Sequence, residues 1–106
     1  MGKYLFHGSY TSEGTRGVLK DGGTARKKAV EVLAASVGGK VESFYFAFGG
    51  DSYFSVVDLP SNEAAAAVAM TVGAAGAVTI STIVLLTPAE VDAAAKLSPT
   101  YRAPGH

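Results

Sequence analysis

Residues 41–59, VESFYFAFGGDSYFSVVDL, contain two runs of aromatic and β-branched residues on either side of a Gly-Gly-Asp-Ser sequence. Such runs are typical of β-strands, and adjacent glycines favour a tight reversal of the chain. The segment therefore predicts a β-hairpin with strands at residues 41–48 and 53–59. A two-residue loop at Gly50-Asp51 would set the cross-strand register. That register pairs Phe48 with Tyr53, Phe46 with Ser55, and Phe44 with Val57.

The segments flanking this hairpin alternate between strand and helix patterns. Four of the thirteen glycines fall within residues 11–23, which predicts a loop with at most one helical turn. Periodicity and capping residues predict the remaining elements. Strands are expected at residues 3–10 and 78–86, and helices at residues 24–37, 63–72 and 88–96.

The resulting order, β-α-β-β-α-β followed by a short helix, predicts an α+β fold of the ferredoxin-like type. In that arrangement four antiparallel strands lie in the order 4-1-3-2, and two helices cover one face of the sheet. We expect residues 1–97 to form this single domain and residues 98–106 to form an extended arm. Such an arm has little to hold it in place unless it docks on a neighbouring subunit.

The composition excludes several classes of partner. The chain has 106 residues, with nine basic and nine acidic side chains and no net charge, and it contains no cysteine. A balanced charge disfavours nucleic acid and anionic membrane surfaces, both of which attract an excess of Lys and Arg. The apolar stretches are far shorter than the ~20 residues that span a bilayer. We therefore expect a cytoplasmic protein with no nucleic acid partner and no membrane partner.

Alternation of side chains along the strands gives the sheet two faces of different character. One face gathers large aromatic residues and is expected to lie under the helices. The second face is apolar with scattered polar groups, and two helices cannot cover both faces. The same face of a second subunit is its expected cover, which predicts a homodimer or higher oligomer with a barrel-like interior. The second face comprises Leu5, His7, Ser9, Ser43, Tyr45, Phe54, Val56, Asp58, Ser81, Ile83 and Leu85.

Short motifs spread over the whole chain are informative in combination. They are Lys3-Tyr-Leu-Phe, Gly8-Ser-Tyr-Thr, Gly22-Gly-Thr-Ala-Arg, Gly38-Gly-Lys-Val-Glu, Phe44-Tyr-Phe-Ala-Phe-Gly, Val57-Asp-Leu-Pro, Ala75-Gly-Ala-Val and Leu85-Leu-Thr-Pro-Ala-Glu-Val-Asp. Together they resemble the GYD domain family, a bacterial family without an assigned activity. That family is similar to the dimeric α+β barrel superfamily, which includes cofactor-free monooxygenases, lactone isomerases, haem-dependent enzymes and ligand-sensing regulatory domains. The resemblance implies a barrel-like dimer.

One position departs from the pattern of that family. The family's turn usually ends in an acidic residue, whereas the turn of this chain, residues 49–52, ends in Ser52. A role that depends on this acid would require Asp51, the preceding residue, to take its place.

His7 is the main candidate for chemistry on the second face. In the strand order 4-1-3-2 the first and third strands are neighbours, so His7 is expected near Val56 or Asp58. A carboxylate beside a histidine fixes its tautomer and makes it a usable general base. Tyr45 on the same face could donate a hydrogen bond to an enolate or carbonyl oxygen. The expected catalytic residues are therefore His7, Asp58 and Tyr45, and the expected ligand contacts are Ser9, Ser43, Phe54, Val56, Ser81 and Ile83.

Two functions remain open at this point. In the first, a small apolar or aromatic molecule binds in the barrel between the sheets, and His7 acts on it as a base. In the second, the chain is a structural or regulatory oligomer, the second face is only a subunit interface, and Asp58 merely caps the turn that follows it. No His-x-x-x-His sequence or paired carboxylate spacing occurs, so we expect no metal site and no cofactor.

A weaker signal follows the glycine pair at residues 22–23. Arg26, Lys27 and Lys28 at the start of a helix could hold an anion. Two glycines before a helix are more typical of a simple turn.

Overall fold

The computed structural model describes residues 2–106. Within that range the chain forms four strands and four helices, and the strands build one antiparallel sheet in the order β2-β3-β1-β4. This is the predicted α+β, ferredoxin-like arrangement with one additional helix. The elements are β1 (Gly2–Gly8), α1 (Ser12–Asp21), α2 (Gly23–Ser36), β2 (Lys40–Phe46), β3 (Tyr53–Leu59), α3 (Asn62–Ala75), β4 (Ser81–Leu85) and α4 (Pro88–Ala95).

The core lies between the sheet and helices α2 and α3. Along β1 and β3 every second side chain is buried, as the alternation in the sequence predicts. Ala34 of α2 packs on this face with Ala65 and Val68 of α3. Small and β-branched side chains allow the helices to approach the sheet closely. The buried sheet residues are Tyr4, Phe6, Tyr53, Ser55, Val57 and Leu59.

The opposite side of the sheet is not covered by any helix of the described chain, and we call it the open face. It carries the residues that alternate with the buried ones. Its members are Lys3, Leu5, His7, Ser43, Tyr45, Phe54, Val56, Asp58, Ser81, Ile83 and Leu85.

The expectation of a loop over residues 11–23 was wrong, because α1 occupies most of that segment. The hydroxyl oxygen of Thr11 accepts a hydrogen bond from the Gly14 amide and caps the helix. At Gly14, the glycine that weakens the helix pattern, an added Cβ would lie 2.0 Å from the Ala77 carbonyl oxygen. The glycine content therefore reflects close packing of α1 as well as the turn at Gly22, where φ is 86°.

The predicted hairpin exists, but its register differs by two residues. Phe46, not Phe48, lies opposite Tyr53, and residues 47–52 form a longer loop. The Ala47 amide donates to the Ser52 carbonyl at 2.8 Å and closes this loop. A shift of two residues keeps every side chain on its predicted face. Phe48 is the exception, because it leaves the sheet and is fully exposed.

The ends of two other strands also differ from the prediction. β1 ends at Gly8 and β4 begins at Ser81, so Tyr10 and Val78 meet only as an isolated bridge. At Gly8 the backbones approach so closely that an added Cβ would lie 2.0 Å from the Thr79 carbonyl oxygen. Helix α3 continues through Gly73 and ends at Gly76, which adopts a left-handed conformation.

The C-terminal region projects from the body of the molecule. Thr87 and Glu90 form the predicted capping box of α4, and Pro88 stands at its start. Every residue from 88 to 102 is exposed, and residues 96–106 form neither helix nor strand. The Cα radius of gyration is 16.8 Å, and the molecule measures 58 × 33 × 22 Å. Of the helices in residues 2–106, none combines the length and apolar character needed to cross a bilayer.

Candidate functional site

His7 is the penultimate residue of β1, an inner strand of the sheet, and its imidazole lies on the open face. It stands opposite Phe54 on β3 and opposite Ser81 on β4. The imidazole stacks on the Phe54 ring, with centroids 5.9 Å apart and an angle of 11° between the planes. The His7 side chain keeps 22% of its surface exposed. The ring is therefore held in place and remains accessible.

The carboxylate that contacts His7 belongs to Asp51 in the hairpin loop. The His7 Nδ1 and the Asp51 Oδ2 are 2.5 Å apart. The loop reaches this position because the Ser52 amide donates to the Gly8 carbonyl at 2.7 Å. The Ser9 hydroxyl donates to the Gly50 carbonyl at 3.2 Å and adds a second attachment. The end of β1 thus fixes the loop that carries Asp51.

This geometry determines which ring nitrogen is available. In the neutral imidazole Nδ1–H donates to Asp51, so Nε2 carries the free lone pair. Among residues 2–106 the His7 ring has no other hydrogen-bond partner. A histidine oriented by a carboxylate, with its other nitrogen open, can accept a proton from a bound molecule.

Asp58 is not the partner of His7, and that prediction was wrong. It lies opposite Lys3, four positions along β1 from His7, or about 13 Å. The Lys3 ammonium donates to Asp58 at 3.0 Å and to Glu42 at 3.3 Å. These hydrogen bonds, that to Asp58 first, raise the pKa of Lys3. Asp58 therefore belongs to a partly exposed ion-pair cluster at the far end of the open face.

The other predicted residues come together in two adjacent rows that cross all four strands. Tyr45, Phe54, His7 and Ser81 form the first row, and Ser43, Val56, Leu5 and Ile83 form the second. Tyr45 is exposed and lies two strands from His7, or about 10 Å. Ser9 lies beyond the end of β1, where its hydroxyl donates to the Gly50 carbonyl of the loop and its amide donates to the Thr79 hydroxyl before β4.

A family model for the GYD domain matches residues 4–95. The chain belongs to the GYD domain family. The matched region runs from β1 to the last residue of α4, and the tail of this GYD domain lies outside it. Comparison with curated proteins and with solved structures gives no match. Asp51 is not among the residues expected at the site, although the sequence carries one signal for it: it stands in the turn, next to the position where the family usually has an acid.

Four cavities of the GYD domain lie on the helix side of the sheet. Their volumes are about 40, 390, 250 and 200 Å³. None of the four is lined by His7, Tyr45, Asp58 or the expected ligand contacts. The largest lies between α1 and the hairpin loop, beside Phe46 and Phe48. A pocket around His7 would therefore need a cover that these cavities do not supply.

Within residues 2–106, no group of three or more His, Asp or Glu side chains is placed to hold a metal ion.

Proposed function

We propose that this GYD domain binds a small apolar or aromatic molecule on its open face, and that His7 accepts a proton from it. The observation that carries the proposal is the 2.5 Å contact between His7 Nδ1 and Asp51. That contact orients the imidazole and compensates the positive charge that it gains with a proton. A packing histidine needs neither a carboxylate on one nitrogen nor an accessible second nitrogen.

The rows around His7 favour an apolar ligand. Phe54 and Ile83 are exposed aromatic and aliphatic side chains beside the imidazole, and Ser43 and Ser81 add small polar groups. An exposed apolar surface across a whole sheet favours a cover. In the proposal, the open face of a second copy supplies that cover and encloses the ligand between two sheets. Exclusion of water would strengthen the electrostatic contacts of the base.

The proposed chemistry is removal of a proton from a carbon next to a carbonyl group. The C–H proton passes to His7 Nε2, the electron pair of that bond forms a carbon–carbon double bond, and the π pair of the carbonyl moves to its oxygen to give an enolate. Return of the proton regenerates the base. Tyr45 is about 10 Å from His7, so its hydroxyl could donate a hydrogen bond only to an oxygen at the far end of a ring-sized ligand.

Deuterium exchange of phenylacetone in D2O tests this proposal, because exchange requires a base and no other reagent. We expect the parent protein to accelerate exchange, and His7→Gln to reduce that acceleration roughly a hundredfold or more. Asp51→Asn should give an intermediate loss. His106→Gln is the matched control, since His106 is the other histidine of the chain and lies in the exposed tail. Equal rates for the two histidine variants would refute the base role.

The second candidate is a subunit interface without chemistry. It is favoured by the position of the four cavities, none of which includes His7. In that case the protein forms a dimer, accelerates no exchange, and gives the mass of two chains alone in native mass spectrometry after gentle purification. His7→Ala would then weaken the dimer without any further effect.

A further inference from the structure

Arg26 occupies an unusual place for a charged residue on a helix. Its Nε is buried and has no hydrogen-bond partner among residues 2–106. Its guanidinium lies 5.8 Å from the centroid of the Tyr10 ring. Lys27 and Lys28, the next two residues, are exposed. The side chain of Arg26 thus turns towards the core side of α2, where an unpaired donor is costly.

No acidic side chain compensates Arg26 within the described part of the chain. The salt bridges there involve only Lys3 and His7 as cationic partners. Glu13 and Asp21 of α1 line a cavity of about 250 Å³ together with Arg26, but neither forms a salt bridge with it. Arg26 is partly buried, and its buried Nε is a donor without an acceptor, so an anionic ligand beside it would supply both an acceptor and a counter-ion.

The cavities beside Arg26 have the shape of a binding cleft. One of about 200 Å³ lies between α2 and α3, and one of about 40 Å³ lies deeper, against the sheet. Five residues line both, and we call the space that they share the α2–α3 cleft. They are Arg26, Val30, Leu33, Val72 and Val78. Four of the five are aliphatic, so Arg26 is the one charged group that they provide.

The polar groups at the bottom of the cleft are already satisfied. The Tyr53 hydroxyl donates to the Thr79 carbonyl at 2.7 Å, and the Ser55 hydroxyl donates to the Ser43 carbonyl at 2.8 Å. The buried donor that still lacks a partner there is the Nε of Arg26. Its charge also lowers the pKa of Tyr53 against the larger effect of burial, so its field reaches this region.

We propose that the α2–α3 cleft binds a small apolar carboxylate, about the size of one aromatic ring, whose carboxylate pairs with Arg26. The pairing would supply the missing counter-ion through charge-assisted hydrogen bonds. The aliphatic walls would hold the ring, since an apolar cavity of about 150 Å³ already admits benzene. This site lies on the opposite side of the sheet from His7 and does not depend on the function proposed above.

Chemical-shift mapping of the amide resonances tests the site with three probes: benzoate, the neutral benzyl alcohol, and inorganic phosphate. We expect benzoate to shift the amides of Val30, Leu33, Val72 and Val78. Benzyl alcohol should bind there at least tenfold more weakly, and phosphate should not bind detectably. The proposal is overturned if benzoate instead shifts open-face residues such as Leu5, Val56 and Ile83, or if benzoate and benzyl alcohol bind equally well.

Substitution of Arg26 separates a specific pair from general attraction of anions. Arg26→Met should weaken benzoate at least tenfold and leave benzyl alcohol unchanged, whereas the matched exposed control Lys27→Met should alter neither. Equal effects of the two variants would overturn the proposal. Circular dichroism checks folding, and if Arg26→Met does not fold, the mapping on the parent protein decides. His7→Gln should bind benzoate as the parent does, so failure of the proposed base leaves this test intact.

Discussion

Tyr53 joins the aromatic core to the segment before β4. Its hydroxyl donates to the Thr79 carbonyl, and its ring lies edge-on to Tyr10 at 5.6 Å and stacks with Phe44 at 6.4 Å. Burial raises the pKa of Tyr53 to about 12, from 10.0. The folded state therefore holds the phenolic proton more tightly than the unfolded state does. The resulting stabilisation is complete below about pH 10 and is lost as the pH rises through about 12.

Tyr53→Phe tests this link between one hydroxyl and stability. At neutral pH we expect the free energy of unfolding to fall by about 1 kcal/mol, because the Thr79 carbonyl loses its donor. Between neutral pH and about pH 11 the variant should lose less stability than the parent. Urea unfolding at both pH values measures the two effects. Tyr101→Phe is the control, since Tyr101 is exposed, and a similar pH dependence in the parent and both variants would contradict the assignment.

The contacts of His7 show which properties of a single residue the sequence could predict and which it could not. The alternation of side chains was enough to place His7 on an uncovered face, but Phe54 lies opposite it and not the expected Val56 or Asp58. Its acidic partner was not predictable from strand register, because Asp51 comes from a loop that folds back over the end of β1. Asp58 was the wrong choice because register alone brings it to Lys3. Cross-strand neighbours follow from strand order and register, which a sequence pattern can suggest. The position of a six-residue loop depends on tertiary hydrogen bonds, which the pattern does not show.

Among the elements, the hairpin explains why the faces were predicted correctly despite a wrong register. The loop is longer than the two residues expected, and a bulge between Val41 and Ser43 shifts the pairing again. A two-residue shift preserves the alternation, so Phe44 and Phe46 still point to the helix side. Helix α1 was missed for a different reason. Its two internal glycines lower the helix propensity of residues 12–21, and contacts with the segment before β4 outweigh that loss.

The two glycines of α1 allow a matched test of that explanation. An added Cβ at Gly14 would meet the Ala77 carbonyl oxygen at 2.0 Å, whereas one at Gly17 has nothing within 4 Å. Gly17→Ala should therefore stabilise the protein by about 0.5–1 kcal/mol through helix propensity. Gly14→Ala should destabilise the protein by about 1–3 kcal/mol, because the added methyl group overlaps the Ala77 carbonyl oxygen. Thermal and urea unfolding measure both; changes of the same sign would mean that α1 does not pack as described.

At the scale of the whole molecule, the shape is more extended than a domain of this length requires. A compact chain of about 106 residues has a radius of gyration near 13 Å, against the observed 16.8 Å. The excess comes from α4 and the tail, which leave Val91, Leu97 and Tyr101 in contact with little of their own chain. The sequence predicted an arm from Pro and Gly, but a pattern within one chain cannot specify what an arm contacts. Exposed apolar groups on both the arm and the open face favour a second copy as the common partner.

Removal of the arm tests this arrangement. We expect the parent, with a chain mass of 10.8 kDa, to form a dimer at micromolar concentration in size-exclusion chromatography with light scattering. Deletion of residues 98–106 should raise the dimer dissociation constant about tenfold or more, because an arm residue as exposed as Tyr101, at 78%, would be buried only against the partner. Thr100→Ala, in the same arm, should have no such effect. Unchanged association after the deletion would exclude the arm from the interface, leaving the open face to account for assembly alone. A monomeric parent would exclude the open face as well, since His7, Phe54 and Ile83 would then face water in the free chain.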